Sequence, residues 1–373
     1  MTLPLPASAC EPSAFPDPRR FAVEVEELLR TFLARKAEST TAGGRLPNLA
    51  DPIQELLEAG GKRIRPILAL TGWHAAGATG DRDTTLHLAA SLELFHAFAL
   101  IQDDVMDRSV TRRGRPTVHQ TQTARSERRI PAADRTRRAA AAARFGEGAA
   151  ILIGDLALLW SDELFRLGHP TQAQLGRVEP LLTTMRFDAI LGQYLDLDAA
   201  THLHADVESA LSVIRHKAVK YTVEAPLQMG AALAGADQAL MDALSAYAAP
   251  LGEAYQLRDD LLGVFGAPER TGKPVLDDLR EGTATVLITV AFDRATRAQR
   301  DLLHRYLGCS TLTQDQADEA RRVIEATGAR HTVERMITDR YEQVLTAMDD
   351  APFEAPVADA LRRLAAQVVQ RAA

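Results

Sequence analysis

The stretch from Leu92 to Gly114, LELFHAFALIQDDVMDRSVTRRG, passes from a long apolar run to a cluster of charges. The apolar residues recur at helical spacing, and three aspartates and three arginines follow them. Asp103 and Asp107 are four residues apart, so on a helix they share one face. Two carboxylates so placed repel each other unless a cation lies between them. The stretch therefore predicts a core helix that ends in a cation site, although a solvated helix end with counter-charges would also explain it.

The same helical spacing recurs along most of the chain, and strand-like alternation is hard to find. Several of the segments are apolar on most faces, as expected for helices at the centre of a large bundle. The fold class predicted from this pattern is all-α. The clearest helical segments are residues 21–37, 85–107, 146–168 and 241–266.

Two segments depart from the helical pattern. Residues 1–20 hold five prolines without periodicity and are predicted to be a disordered tail, which leaves residues 21–373 as one domain. Residues 120–144 are polar, rich in arginine and interrupted by Pro131. We interpret them as a mobile insertion between two core helices, with a nucleic-acid-binding patch as the less favoured alternative.

The composition argues against several classes of protein. A net charge of −7 and an aromatic content of 5% are unlike those of a nucleic-acid-binding protein. Cys10 and Cys309 are the only cysteines, which argues against a disulfide scaffold or a thiolate metal site. The N-terminus does not resemble a signal peptide, and no uncharged apolar stretch is long enough to span a bilayer. We therefore expect a cytoplasmic protein without a transmembrane segment.

A second aspartate pair, Asp259 and Asp260, also follows an apolar helical run. Two such clusters can face each other across the mouth of a bundle, where carboxylates on facing helices build metal sites. Carboxylate oxygens suit Mg²⁺, which completes its coordination with water and substrate phosphates.

Basic residues accompany both aspartate clusters. Arginine binds phosphate oxygens through two parallel hydrogen bonds, and lysine acts as a point charge. Neither of the common glycine-rich nucleotide motifs is present, so the pattern predicts a polyphosphate ligand that is not an obvious nucleotide, beside an apolar cavity. The basic residues are Lys62, Arg65, Arg112, Arg113, Arg115, Lys217, Lys220 and Lys273.

Taken together, these motifs resemble those of the trans-isoprenyl diphosphate synthases (the polyprenyl synthetase family), most closely the geranylgeranyl and farnesyl diphosphate synthases. The resemblance covers residues 21–373, and the order and spacing of the motifs make it specific. It implies an all-α bundle around a deep central apolar cavity, a homodimer, and an Mg²⁺-dependent condensation of isopentenyl diphosphate with an allylic diphosphate. The motifs are GGKRIRP, DDVMD with the following RRG, GD, GQYLDL, QLRDD and TGKPVLDDLREG.

The resemblance also implies roles for individual residues. Three Mg²⁺ ions would be held by Asp103, Asp107 and Asp259. The charge on the departing allylic diphosphate would be stabilised by Arg112, Lys217, Gln256 and Lys273. The diphosphate of isopentenyl diphosphate would be held by Lys62, Arg65, His96 and Arg113, with Gly61 leaving it room.

Simpler explanations exist for some of these residues. His96 could be a hydrogen-bonded core histidine, Gln256 could serve helix packing, and Gly61 could merely end a helix. Three positions also depart from the family pattern: Gly263 ends the second aspartate motif, Ala218 replaces the usual threonine after Lys217, and Thr283 replaces a common lysine.

Two other functions remain open. A terpene cyclase of the same fold is disfavoured, because Gly263 and Ala267 stand where such enzymes usually carry metal ligands. A non-catalytic partner subunit is disfavoured because both aspartate clusters are retained.

Product length should depend on the side chains that precede Asp103 on its helix. Helical geometry places Ala99 and Phe95 beneath Asp103 and turns Phe98 away from it. The family resemblance nevertheless implies that Phe98 limits chain length. An aromatic residue there beside the small Ala99 predicts geranylgeranyl diphosphate, with farnesyl diphosphate as the alternative.

Overall fold

The computed structural model describes residues 16–41, 47–131, 134–201, 206–266, 279–280, 282–309 and 311–369. These residues form helices and one short hairpin, so the prediction of an all-α fold is confirmed. The helices before the centre of the chain are α1 (Pro18–Thr41), α2 (Asp51–Glu58), α3 (Ile64–Ala75), α4 (Arg82–Met106), α5 (Val118–Arg128), α6 (Arg135–Leu167) and α7 (Gln172–Thr201). Those after it are α8 (Val207–Ile214), a π-helix (Arg215–Glu224), α9 (Ala225–Ala234), α10 (Gln238–Phe265), α11 (Val286–Arg294), α12 (Arg297–Tyr306), α13 (Gln314–Ala326), α14 (Ala329–Asp349) and α15 (Ala355–Val369).

Helix α4 lies at the centre of the first half of the bundle, packed against α1, α3 and α6. Its side chains Leu88, Leu92 and Phe95 are at most 1% exposed, since neighbouring helices cover most of its circumference. A second core forms around α10, where Tyr247 and Leu257 are fully buried. These helices are apolar on most faces because they are buried on several sides.

The backbones of α3 and α9 touch, and two glycines make this possible. A Cβ atom on Gly72 would lie 1.9 Å from the carbonyl oxygen of Leu227, and one on Gly230 would lie 1.9 Å from that of Ala69. Only glycine permits so close an approach. The contact fixes α9, and with it the π-helix that precedes it, against α3.

Among the described residues, α4 alone has the length and apolar composition to cross a bilayer. However, 67% of its most apolar window is buried inside the protein. A core helix of a bundle passes the same test of length and composition as a membrane-spanning helix. The expectation of no transmembrane segment therefore stays a prediction.

The segment 120–144 is more regular than the sequence suggested. Helix α5 continues to Arg128 and α6 begins at Arg135, so Pro131 falls in the turn between two helices. A Cβ atom on Gly146 would lie 2.0 Å from the Thr123 hydroxyl, which shows that α5 packs directly on α6. Alanine and arginine are good helix formers, so a polar segment rich in both can be helical. Its mobility stays a prediction.

The predicted N-terminal tail is tested only at its end. Helix α1 begins at Pro18, inside the range assigned to the tail, and residues 1–15 lie outside the described part of the chain.

Candidate active site

A two-stranded hairpin folds back over the end of α4 and brings an arginine to the aspartates. Its strands, β1 (Thr111–Arg112) and β2 (Arg115–Pro116), pair antiparallel. The turn needs a positive φ at both central residues, and these are Arg113 (φ 52°) and Gly114 (φ 73°). The Arg112 guanidinium donates to Asp104 Oδ1 at 2.7 Å and to Asp103 Oδ2 at 3.2 Å.

This ion-pair cluster is half shielded from water. Asp104 is 1% exposed, whereas the Asp103 side chain is 21% exposed. Burial lowers the pKa of Arg112, but the carboxylates of Asp104 and Asp103 outweigh it and leave the pKa raised. Asp104 therefore holds Arg112 in place, and Asp103 keeps an accessible carboxylate.

Lys217 approaches Asp103 from the opposite side. Its Nζ lies 3.3 Å from Asp103 Oδ1 and also donates to Asp196 Oδ2 on α7. Burial lowers the pKa of Lys217, but Asp103 and Asp196 outweigh it and raise the pKa well above its ordinary value. Lys217 is thus a fixed cation at the end of α4.

Lys217 lies in the π-helix, a rare conformation that often occurs at functional sites. Helix α7 packs tightly against this segment, since a Cβ atom on Gly192 would lie 2.4 Å from the backbone nitrogen of Lys217. The glycine of the GQYLDL motif therefore allows the close contact, and the motif's Asp196 binds the lysine.

An apolar cavity of about 490 Å³ opens beside Asp103 and Lys217. Carboxylate and ammonium groups thus lie at one end of a space whose other walls are mostly apolar, as the fold class predicted. Helix α4 contributes His96, Phe98, Ala99, Leu100, Gln102, Asp103 and Met106; the other lining residues are Asp155, Ala189, Ile190, Gln193, Tyr194, Leu197, Lys217 and Tyr221.

Phe98 and Phe95 occupy successive positions at the apolar end. Phe98 lines the cavity beside Ala99, whereas Phe95 is 1% exposed and lies behind it, with 5.5 Å between the ring centroids. The helical-wheel expectation that Phe98 points away from the space beneath Asp103 was wrong. The cavity covers a wide arc of α4, because it extends from the π-helix to α7, and Phe98 falls within that arc.

Four arginines surround a neutral histidine next to the cavity. Burial, and then the charges of Arg65, Arg113, Arg112 and Arg63, hold the pKa of His96 well below its ordinary value. His96 Nδ1 is hydrogen-bonded to the Tyr221 hydroxyl. His96 is therefore hydrogen-bonded within the core, as the simpler explanation expected, but it also lines the cavity.

The Arg65 guanidinium is partly engaged by contacts within the protein. Its Nη2 donates to Thr222 Oγ1 at 2.8 Å, and its guanidinium carbon lies 4.1 Å from the centroid of the Tyr221 ring. Its Nε is buried, and no hydrogen-bond partner for it occurs in the described part of the chain. A buried donor without a partner is costly, so this part of the Arg65 guanidinium is less well satisfied than Nη2.

Gly61 makes room for a side chain. A Cβ atom there would lie 3.3 Å from Arg113 Nη2 and 3.4 Å from Arg63 Nη1. The neighbouring Lys62 is exposed at the same loop. Arg63 is buried and pairs with Glu93 at 2.8 Å, which anchors the loop to α4.

Comparisons with known proteins agree with this geometry. A family model described as polyprenyl synthetase matches residues 46–325. The chain belongs to the polyprenyl synthetase family. It is accordingly an isoprenyl diphosphate synthase, a trans-prenyltransferase.

The similar proteins in this family carry names that specify different product lengths. A crystal structure of a geranylgeranyl pyrophosphate synthase from Corynebacterium glutamicum, complexed with isoprenyl diphosphate and magnesium, superposes with a TM-score of 0.89 at 36% identity, covering 96% of this chain and 100% of that one. A geranylgeranyl diphosphate synthase of Mycobacterium tuberculosis is 30% identical, covering 78% of this chain and 75% of its own length. A (2E,6E)-farnesyl diphosphate synthase of Mycobacterium bovis is 33% identical, covering 72% of this chain and 68% of its own length.

The second aspartate cluster of this synthase lies on α10. Gln256 Nε2 donates to Asp260 Oδ1 at 2.8 Å, and Asp259 is partly buried next to it. Lys217 connects the two clusters, since it contacts Asp103 and also lines a small cavity of about 90 Å³ with Gln256 and Asp260. Lys273 lies outside the described residues.

Two of the three departures from the family pattern line this small cavity. Ala218 and Thr283 both border it, together with Asp196 and Asp260. A smaller side chain at each position leaves a space beside Lys217 where the usual residues would add a hydroxyl and a charge.

Sequence reasoning did not identify Tyr221 and Asp196. Tyr221 lies 125 residues after His96, and no local pattern marks it as its partner. Asp196 had a signal, because it belongs to the quoted motif GQYLDL, but no role was assigned to it.

Proposed function

We propose that this synthase condenses isopentenyl diphosphate with allylic diphosphates in an Mg²⁺-dependent reaction and releases mainly geranylgeranyl diphosphate. The proposal rests on the cavity of about 490 Å³, which has Asp103 and Lys217 at one end and the cluster around His96 beside it. Charged groups suit two diphosphates, and the apolar walls suit a growing hydrocarbon chain. The scarcity of cysteine and the charged substrates are consistent with a cytoplasmic enzyme.

The donor set fits magnesium. Asp103, Asp107 and Asp259 offer hard oxygen ligands at the ends of two helices, and we propose that they hold three Mg²⁺ ions together with the allylic diphosphate. Mg²⁺ usually keeps several waters and takes the rest of its ligands from one or two carboxylates and from substrate phosphates. The bound ions would supply Lewis-acid stabilisation of the departing diphosphate.

The residues of the chain would supply the remaining stabilisation. Arg112 and Lys217 are already held at Asp103, so their charges need little rearrangement as negative charge grows on the leaving oxygen. Gln256 and Lys273 would complete this subsite. The double bond of isopentenyl diphosphate then attacks the allylic carbon, a proton is lost from the adduct, and the released diphosphate accepts it. The apolar walls exclude water from the allylic cation.

The second diphosphate would bind beside His96. Lys62, Arg65 and Arg113 would provide the positive charge. His96, being neutral, can donate one further hydrogen bond.

Replacing cations of the two subsites should affect the two substrates differently. We expect Lys62→Ala and Arg65→Ala each to raise the KM for isopentenyl diphosphate about tenfold or more, since a charge-assisted hydrogen bond is lost. The KM for the allylic substrate should change less, and Lys273→Ala should show the reverse. Initial rates with each substrate varied in turn measure the difference.

Lys220→Ala is the matched control, because Lys220 lies on the π-helix, pairs with Glu224 at 3.7 Å and is assigned to neither diphosphate. Equal increases in both KM values for Lys62→Ala would mean that the two subsites are misassigned.

Product identification distinguishes the remaining functions. The purified protein would be incubated with isopentenyl diphosphate, Mg²⁺ and each short allylic diphosphate in turn. Geranylgeranyl diphosphate is the expected product, and farnesyl diphosphate as the end product would correct the chain length. Hydrocarbon products would identify a cyclase, and no turnover with any starter would support a partner subunit.

We also propose that the synthase is a homodimer. Helices α6 and α7 carry large apolar side chains that are 55–66% exposed, which is unusual for a free surface. Such a face is covered when a second copy packs the same helices against it. The residues are Leu152, Leu159 and Phe187, together with Ile190 and Tyr194, which also line the cavity.

Charged substitutions on this face should separate the two copies. We expect the double variant Leu152→Glu, Leu159→Glu to sediment as a monomer, because two buried carboxylates cannot be solvated in an apolar interface. Val23→Glu, at a solitary exposed apolar position on α1, is the control. If the double variant keeps the sedimentation coefficient of the unmodified protein, α6 and α7 do not form the interface.

A further inference from the structure

Tyr221 contacts two of the residues assigned to isopentenyl diphosphate, His96 and Arg65. Its side chain is 6% exposed and lines the cavity. Its hydroxyl is hydrogen-bonded to His96 Nδ1, its ring lies under the Arg65 guanidinium at 4.1 Å, and its edge packs on Phe95 with 5.5 Å between centroids. The adjacent Thr222 accepts a hydrogen bond from Arg65.

We propose that Tyr221 is a positioning residue that fixes the tautomer of His96, so that Nε2 carries the hydrogen and donates it to the diphosphate of isopentenyl diphosphate. The inference rests on the proposed function, because it assumes that a diphosphate binds beside His96.

The argument starts from the charge state of His96. A buried imidazole among Arg63, Arg65, Arg112 and Arg113 is neutral, as the lowered pKa of His96 indicates. A neutral imidazole has one nitrogen that donates and one that accepts. Diphosphate oxygens only accept, so a His96 that helps to bind one must carry its hydrogen on the nitrogen that faces the ligand.

A phenolic hydroxyl can donate or accept, so the direction of its hydrogen bond with Nδ1 determines the tautomer of His96. Tyr221 keeps its phenolic hydrogen, since burial raises its pKa well above the ordinary value. If the hydroxyl donates to His96 Nδ1, the imidazole hydrogen must be on Nε2. The opposite tautomer would direct the Nε2 lone pair at the diphosphate oxygens and repel them.

The π-helix also places Tyr221 close to Lys217. Lys217 precedes it by one turn and lines the same cavity, so the two residues link the allylic subsite to the site beside His96. The stacked ring also holds Arg65 in a fixed plane. A phenylalanine at this position would keep the ring contacts and lose only the hydroxyl.

The first measurement is therefore the steady-state behaviour of Tyr221→Phe. We expect the KM for isopentenyl diphosphate to rise on the order of tenfold, since a hydrogen bond to a charged group is weakened. The KM for the allylic substrate should change less than about twofold, within the range of an unaffected site. Tyr306→Phe is the matched control, because it also loses a phenolic hydrogen bond, to Glu319 at 2.8 Å on α13.

A double-mutant cycle tests whether Tyr221 acts through His96. In His96→Gln the amide group can donate a hydrogen bond without any tautomer being selected. On that background Tyr221→Phe should no longer raise the KM for isopentenyl diphosphate. An equal increase on both backgrounds would overturn the proposal, because Tyr221 would then act independently of His96.

Nitrogen-15 NMR of the histidine side chains reports the tautomer directly and needs no turnover. The signals of His96 are those missing from His96→Gln. In the full-length protein we expect a neutral Nε2–H tautomer, and in Tyr221→Phe a shift towards Nδ1–H. An Nδ1–H tautomer in the unmodified protein would overturn the proposal even if the synthase is fully active. Absence of isopentenyl diphosphate turnover with the expected NMR result would instead count against the proposed function.

Discussion

Asp103→Asn and Asp107→Asn should each lower kcat by about a hundredfold or more while the protein stays helical. Asparagine keeps the shape of the side chain but removes the charge that would recruit Mg²⁺ to the end of α4. In Asp103→Asn the cations Arg112 and Lys217 also lose a counter-charge, although Asp104 and Asp196 still hold them. The ion pairs alone therefore do not explain so large an expected loss.

Measuring activity as a function of Mg²⁺ concentration distinguishes the loss of a metal ligand from the loss of an ion pair. A metal role predicts that more Mg²⁺ is needed for half-maximal activity in the variants and that EDTA abolishes activity in the unmodified protein. Asp83→Asn is the control, because Asp83 lies in the first turn of the same helix and is 60% exposed. Full activity of Asp103→Asn at low Mg²⁺ would refute the metal assignment.

Phe98→Ala should lengthen the product by at least one isoprene unit. Phe98 lines the cavity, so truncation opens the space up to the ring of Phe95 behind it. Phe95→Ala alone should have a smaller effect on length, because Phe98 still closes the cavity. It should also cost about 3–5 kcal/mol of stability, as truncation of a buried phenylalanine usually does. Chromatography of the dephosphorylated products measures the lengths.

The opposite change provides the matched test. Ala99→Phe adds a ring to the same wall and should shorten the product. Unchanged lengths in both Phe98→Ala and Ala99→Phe would show that α7, which supplies the facing wall, limits the chain instead.

The central helix and its aspartates could be predicted because their signals are local. The spacing of Asp103 and Asp107 depends only on helix geometry, and the apolar run before them extends over several turns. The hairpin that returns Arg112 to these aspartates was not predicted, since its strands have only two residues each. Its turn has the sequence Arg113–Gly114, in which only the glycine signals a positive φ.

Features that depend on distant contacts could not be predicted in the same way. Tyr221 meets His96 and Phe95 only because the π-helix brings it to α4, and a helical wheel of one helix contains no such information. The wheel also misplaced Phe98, because the width of the cavity is set by α7 and the π-helix. Burial similarly distinguished Asp104, which holds Arg112, from the more exposed Asp103 beside it.

The most direct test of the account follows two quantities in one reaction: the isopentenyl diphosphate consumed and the diphosphate released, with farnesyl diphosphate as the allylic substrate and Mg²⁺ present. The account predicts that one diphosphate is released for each isopentenyl diphosphate consumed and that the product has twenty carbons. In Asp103→Asn both rates should fall by about a hundredfold or more. Diphosphate release without consumption of isopentenyl diphosphate would contradict it.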